Sequence, residues 1–287
     1  MNTFTSGGGA RPKIEVRAAD GATADVYLQG AHLASWRPAP GDEERLFLSA
    51  RSVFRDGAPI RGGIPVIFPQ FSEEGPLPRH GFARTSLWTH AALEHDTDGS
   101  VIASFILADT PATNAIWPAA FLATLTVRVG GAQLAVSLAV DNAGTDPFTF
   151  TAALHTYLRV HDVRNVQLLG LHGGRYRESA AGNVKFDADE VMRVGGEIDR
   201  VYIDAPSRLT LREPQRDLIV AAEGFPDVVI WNPGIERAAA LSDMEPGGEG
   251  RMLCVEAAVV QTPVTLEHGR RWSGSQTLTA WQRDGQS

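Results

Sequence analysis

The sequence predicts an all-β domain, a sandwich or a barrel, and two observations carry that prediction. Apolar and polar residues alternate with period two through much of the chain. Clusters of Gly, Pro, Asn and Asp punctuate the alternation, as in NAGTDP, DAPS, NPG and EPGGEG. Runs of helical period are few, and many strands separated by turn signals characterise all-β architectures.

From the N-terminus, MNTFTSGGGARPK lacks the charged start and apolar centre of a signal peptide, and residues 1–12 read as a flexible tail. LFLSARSVF, residues 46–54, is compatible with a short turn of helix. RGGIPVIFPQF, residues 61–71, sets a permanent cation at the head of an apolar run. Two glycines there permit unusual backbone angles or close approach, and Pro65 and Pro69 stiffen the apolar run itself. LAVSLAVDN (134–142), FTFTAALHTYLRV (148–160), SRLTLRE (207–213), LIVAAE (218–223), VVIWN (228–232) and RMLCVEAAVV (251–260) read as strands. Residues 173–200 form the longest weakly patterned stretch, and loops of that size tend to be functional. Without an internal repeat or a Pro/Ser-rich linker, residues 13–287 form a single domain.

Composition narrows the function classes. A net charge of -8 disfavours a nucleic-acid reader, which needs a basic patch. Lys13 and Lys185 are the only lysines, and the other 24 cations are arginines, which suits genomic bias as well as oxyanion binding. Cys254 is the single cysteine, so no intrachain disulfide forms. No apolar run spans a membrane. A cytoplasmic, soluble chain is expected, and a monomer in the absence of an obvious apolar patch.

Chemistry concentrates at three places. In FTFTAALHTYLRV, alternation sends Phe148, Phe150, Ala152 and Leu154 to the core, and Thr149, Thr151, Ala153, His155, Tyr157 and Arg159 to a polar, aromatic face suited to a small ligand. His155 is a structural histidine or a catalytic one. In RMLCVEAAVV, Glu256 shares its face with Met252, Cys254 and Ala258, where a carboxylate is costly unless paired or employed. It is either half of a buried ion pair or a general base whose pKa desolvation raises. PRHGFAR, residues 78–84, adds Arg79, His80 and Arg84 to Arg61. Such a cluster repels itself unless an anion offsets it or Glu73 and Glu74 neutralise it at the surface. No P-loop, dinucleotide fingerprint or zinc spacing is present, Cys254 reads as inert, and His32 is a weaker candidate for the site.

IRGGIPVIFPQF, LPRHGFAR, LHTYLRV, EIDRVY, VIWNPG and RMLCVEAA, with QGAHLASWRP near the start, occur in the order and rough spacing of hexose-6-phosphate mutarotases. The chain resembles this branch of the aldose 1-epimerase superfamily over residues 15–282. The resemblance implies a large antiparallel β-sandwich of the galactose mutarotase-like type, with no cofactor and no metal. It implies interconversion of the α and β anomers of a hexose 6-phosphate, with glucose 6-phosphate the first candidate. His155 and Glu256 would be the catalytic pair, and Arg61, Arg79, Arg84 and Asp199 would bind substrate. His80 and Trp231 would stand behind them. Arg79 replaces a common glutamine, and Gly234 replaces an aromatic in the commoner WNPW pattern. The alternatives are an epimerase of unphosphorylated aldoses, which has no use for the arginines, and a non-catalytic carbohydrate-binding or sensor protein.

Overall fold

The computed structural model describes residues 4–6, 11–38, 43–178 and 182–283. Among the described residues, two eight-stranded sheets and one four-stranded sheet make up the architecture, and every pairing between their strands is antiparallel. The first large sheet runs Lys185–Phe186, Arg175–Arg177, Ile198–Ile203, Asp227–Asn232, Met252–Leu266, Phe148–Leu154 and Val66–Ile67, with Tyr157–Arg159 also paired to Met252–Leu266. The second runs Gln167–Leu169, Arg208–Arg212, Arg216–Glu223, Arg271–Gln282, Gln133–Asn142, Phe121–Gly130, Val101–Ala108 and Thr89–His95. Phe4–Ser6, Pro12–Arg17, Thr23–Tyr27 and His32–Arg37 form the small sheet. Phe4–Ser6 pairs with residues 12–14, and the rest of the expected tail, residues 1–3 and 7–10, lies outside the described residues.

Period-two alternation decides which side chains enter the core. Along Phe121–Gly130 every second residue is buried. In Met252–Leu266, Leu253, Val255, Ala257 and Val259 join the main apolar core, whereas Met252, Cys254 and Ala258 belong to two smaller clusters on the opposite face. Phe148, Phe150, Ala152 and Leu154 enter the main core as expected, and Ala153 and Tyr157 face the smaller clusters. His155 and Glu256 sit on that second face, turned away from the core.

Two sequence expectations are corrected. Residues 46–54 form no helix: Leu46 and Leu48 make isolated bridges to Leu158 and Gly62, and the Phe47 and Ser49 N–H groups donate to Tyr157 O and Arg61 O. Those donors are spent on β-type contacts, so a helical turn cannot use them. The weakly patterned stretch 173–200 contributes the strands Arg175–Arg177 and Lys185–Phe186 to the edge of the first sheet. Arg177, 5% exposed, makes a two-pronged ion pair with Glu74 at 2.8 and 3.0 Å, a tertiary contact across 103 residues that local patterning does not encode.

The glycines after Arg61 are required by their surroundings. Gly62 and Gly63 have φ of +112° and +62°. A Cβ on Gly63 would lie 2.2 Å from Leu33 O and 2.7 Å from His32 Nε2, and one on Gly62 would lie 2.2 Å from Phe47 O. His32 is fully buried beneath this shelf, and burial followed by the Arg84 charge pushes its pKa down to about 3. Gly63→Ala is expected to cost about 1–3 kcal/mol through backbone strain and contact. The expected result is a lower urea midpoint at unchanged slope; an unchanged midpoint would contradict this reading of the shelf.

Candidate active site

Glu256 comes from the strand Met252–Leu266, and His155 from the two-residue break between Phe148–Leu154 and Tyr157–Arg159, both of which pair with that strand in a locally fixed register. Ala153 and Leu154 pair with Ala258 and Ala257, and beyond them Tyr157 pairs with Cys254. Between these points the Val255 N–H donates to Thr156 O at 3.1 Å. Gln276, reaching from the second sheet and 2% exposed, accepts from Thr156 Oγ1 at 2.5 Å and donates to Val255 O at 3.0 Å. One buried amide thus clips together the chain neighbours of both residues.

His155 Nδ1 lies 3.1 Å from Glu256 Oε1. The contact is close but not aligned as a hydrogen bond, and the buried Glu256 Oε2 has no partner among the described residues. Tyr157 stacks on the imidazole at 4.7 Å and 8°, and Trp231 meets it edge-on at 6.0 Å. Burial, reinforced by Asp199 and opposed by Arg84, holds the Glu256 carboxyl well above the usual carboxylate range. Burial, followed by His80, Arg84 and Arg61, holds His155 well below the usual imidazole range. The two groups therefore share protons as a pair, and the form that holds one proton can be drawn as imidazole with carboxylic acid or as imidazolium with carboxylate.

A cavity of about 290 Å³ opens over this pair, at the small end of the range for ligand sites. The eight residues that the resemblance assigns to the site line it: Arg61, Arg79, His80, Arg84, His155, Asp199, Trp231 and Glu256; His32, the weaker candidate, is buried beneath the shelf and does not. His80 and Trp231 are part of the wall, not a layer behind it. His80 Nδ1 accepts from the Ser72 N–H at 3.2 Å, and burial, then Arg84, Arg79 and Arg61, push its pKa down to about 2. It faces the cavity as a neutral ring.

The arginines differ in how far they are already engaged. Arg61 Nη1 donates to Tyr157 Oη at 3.0 Å, and its Nε stands 3.2 Å from Asp243 Oδ1. Burial alone would lower its pKa, but Tyr157 and Asp243 reverse the sign and raise it. Arg84 donates one Nη2 bond to Arg79 O at 3.1 Å, while its buried Nε has no partner. Burial lowers its pKa to about 10, with Tyr157 opposing and Arg61 and Arg79 adding to the fall. Arg79 is exposed and 3.9 Å from Glu73, and Glu74 is taken by Arg177, so of the two surface carboxylates only Glu73 offsets the cluster, at its exposed rim. Arg237, from the short helix Gly234–Ala240, also lines the cavity, 2.8 Å from Glu197 and 3.7 Å from Asp199.

Sequence reading missed Arg237, Asp243 and the Gln276 clip. Gly234, where an aromatic was expected from the resemblance, has φ of +63° and packs against Glu197; a Cβ there would lie 2.8 Å from Glu197 N.

His155, Cys254 and Glu256 place one ligand atom each within 4.8 Å of one another. A cation there would have to displace protons from a thiol and a carboxyl whose pKa values burial raises, with Arg61 and Arg84 close by. The donor set fits proton transfer better than metal binding.

Glu256 binds its proton more tightly in the fold than in the unfolded chain. Its contribution to stability is therefore full below the ordinary value of 4.5 and is lost progressively as pH rises above it. Glu256→Gln removes that loss while keeping the shape. Its melting temperature is expected to rise relative to wild type, by an amount that grows between about pH 5 and pH 8. A difference independent of pH would contradict burial as the cause.

Residues 12–279 match the family described as aldose 1-epimerase. A Cenchrus ciliaris protein named “Putative glucose-6-phosphate 1-epimerase” is 36% identical over 281 residues, which cover 93% of this chain and 84% of that protein. A solved Salmonella typhimurium structure, described as a “putative mutarotase”, superposes with a TM-score of 0.87 at 30% identity over 95% of this chain and 91% of the other. A galactose mutarotase-like protein from Lactobacillus casei shares the fold at a TM-score of 0.75 and 16% identity, over 94% and 100% of the two chains. The antiparallel sheets seen here are thus those of the galactose mutarotase-like fold, and the chain belongs to the aldose 1-epimerase family of isomerases.

Proposed function

We propose that this chain interconverts the α and β anomers of a hexose 6-phosphate, glucose 6-phosphate being the first candidate. The observation that carries the choice of a phosphorylated sugar is the charge of the cavity. Four arginines line it; Arg61, Arg79 and Arg237 already stand near Asp243, Glu73 and Glu197, but Arg84 has no carboxylate partner among the described residues, and Glu256 is held toward its neutral form. An unphosphorylated aldose offers nothing to balance that charge, whereas a phosphate dianion does. The similarity to proteins named for glucose 6-phosphate supports the same choice.

The arginines divide the work. Arg84, which has no carboxylate partner among the described residues, and the exposed Arg79, 3.9 Å from Glu73, are the freest to take the phosphate. Arg61 has committed part of its donor set to the protein and is left with fewer donors for the substrate. Asp199, 46% exposed at the cavity wall, accepts from sugar hydroxyls.

In the reactive form of the pair, Glu256 is a carboxylate and His155 an imidazolium. Glu256 takes the proton of the anomeric O1 hydroxyl as His155 gives its proton to the ring oxygen O5. The C1–O5 bond breaks, O1 becomes the aldehyde oxygen, and rotation about C1–C2 presents the other carbonyl face. Closure reverses both transfers, so protons balance. Catalysis needs one proton on the pair. The rate therefore falls both when a second proton binds and when the last one leaves, and the limbs belong to the pair.

Anomer exchange of glucose 6-phosphate, followed by NMR magnetisation transfer beside free glucose and galactose, tests the reading. Acceleration confined to the phosphate is expected. His155→Ala is expected to lower kcat by about 10²–10⁴-fold. Arg84→Ala is expected to raise KM for the phosphate by about 10–100-fold, with free sugars little affected. Equal acceleration of the free sugars would move the activity to unphosphorylated aldoses. Binding of sugar phosphate with no acceleration would make the protein a sensor.

A further inference from the structure

Arg61 is held on more sides than a cation waiting for a ligand requires. Its carbonyl accepts from the Ser49 N–H at 3.0 Å and from Ser52 Oγ at 2.7 Å. Its Nη1 donates to Tyr157 Oη at 3.0 Å, and its buried Nε stands 3.2 Å from Asp243 Oδ1 in an ion pair that is not aligned as a hydrogen bond. Asp243 is anchored by the same short segment: Ser49 Oγ donates to Asp243 O at 2.7 Å and accepts from the Glu245 N–H at 3.0 Å. One serine therefore ties the arginine's own shelf to the backbone of the carboxylate that pairs with it. Asp243 is largely enclosed, 17% exposed, and is not among the residues that line the cavity.

The far end of this chain of contacts is the imidazole. Tyr157 receives Arg61 on its hydroxyl and lays its ring flat on His155, with 8° between the planes. Trp231 closes on both rings edge-on, at 5.9 Å and 6.0 Å. A stacked ring held by a fixed hydroxyl restricts the tilt of its neighbour. An ion pair at one end of such a chain is thus felt as orientation at the other. Asp243 also cancels part of the charge that Arg61 would otherwise direct at the imidazole.

We propose that Asp243 is a positioning residue: it fixes the Arg61 guanidinium and, through Tyr157, the plane of the His155 ring. The kinetic arm of the test rests on the mutarotase reading, and the spectroscopic arm does not.

Asp243→Asn, Asp243→Glu and Tyr157→Phe are compared with wild type in protein labelled with 15N-histidine. Without substrate, the His155 ring resonances are expected to shift in Asp243→Asn and in Tyr157→Phe, and to return toward wild type in Asp243→Glu. With the aldose or aldose phosphate that wild type accelerates, kcat is expected to fall about 10–100-fold in Asp243→Asn, the size of a small misplacement of a reacting group. KM is expected to change less than kcat, and the Asp243→Asn/Tyr157→Phe double variant to lose little more than either single one. Unmoved His155 resonances, a KM rise alone, or additive losses would overturn the proposal. Should Asp243→Asn fail to fold, Tyr157→Phe alone decides on the same resonances. Should wild type accelerate no sugar, the mutarotase reading fails while the resonances still decide the positioning.

Discussion

The cavity depends on keeping one carboxyl group, Glu256, inside an apolar strand. At 1% exposure it is as deeply buried as the valines around it, and one of its oxygens has no partner among the described residues. A lone carboxylate at that depth is expensive, and the direct remedy would be a bidentate arginine. The protein does something different. It gives Glu256 an imidazole at 3.1 Å in an unaligned contact and keeps the guanidinium groups of Arg61 and Arg84 in the cavity wall without ion-pairing either to it. The carboxyl is left able to gain and lose a proton, which an arginine clamp would prevent.

The apparatus around the pair follows from that constraint. The strands that carry it must hold register without using its side chains. Backbone pairing on either side and the Gln276 clip from the opposite sheet do so. The cations must be near enough to attract an anion yet unable to collapse onto Glu256. Arg61 is restrained by Asp243 and Tyr157, Arg84 by a carbonyl, and Arg237 by Glu197. A chain with a net charge of -8 thereby encloses a cavity rich in cations. The RGG shelf belongs to the same design. Two glycines let Arg61 approach the cavity over His32 and the backbone of the neighbouring segments, a path that any side chain would block.

Much of this was legible in the sequence because period-two alternation gives a residue's face directly. It placed His155 opposite Phe148, Phe150 and Leu154, and it made Glu256 conspicuous beside Cys254 and Ala258. The strands it named between residues 134 and 260 are present, except that 148–160 is broken at His155 and Thr156 into Phe148–Leu154 and Tyr157–Arg159, and Met252–Leu266 runs beyond the expected end. Asp243 and Arg237 were not legible, since an aspartate and an arginine in a polar turn and a short helix look like ordinary surface residues. Only folding brings Asp243 to Arg61, far away in the chain. The stretch 173–200 looked unpatterned because its order comes from edge pairing and from the Arg177–Glu74 ion pair, both of them long-range. The turn expected at residues 46–54 failed for a related reason: its apolar spacing suits a helix, but its backbone donors are claimed by distant strands.

The most direct test is the titration of the Glu256 carboxyl carbon by 13C NMR in the ligand-free protein, assigned by its loss in Glu256→Gln. The account predicts a midpoint well above the ordinary 4.5, together with a response of the His155 ring at the same pH. A midpoint at or below 4.5, with His155 silent, would mean that burial does not raise the Glu256 carboxyl and that the two groups do not titrate as a pair.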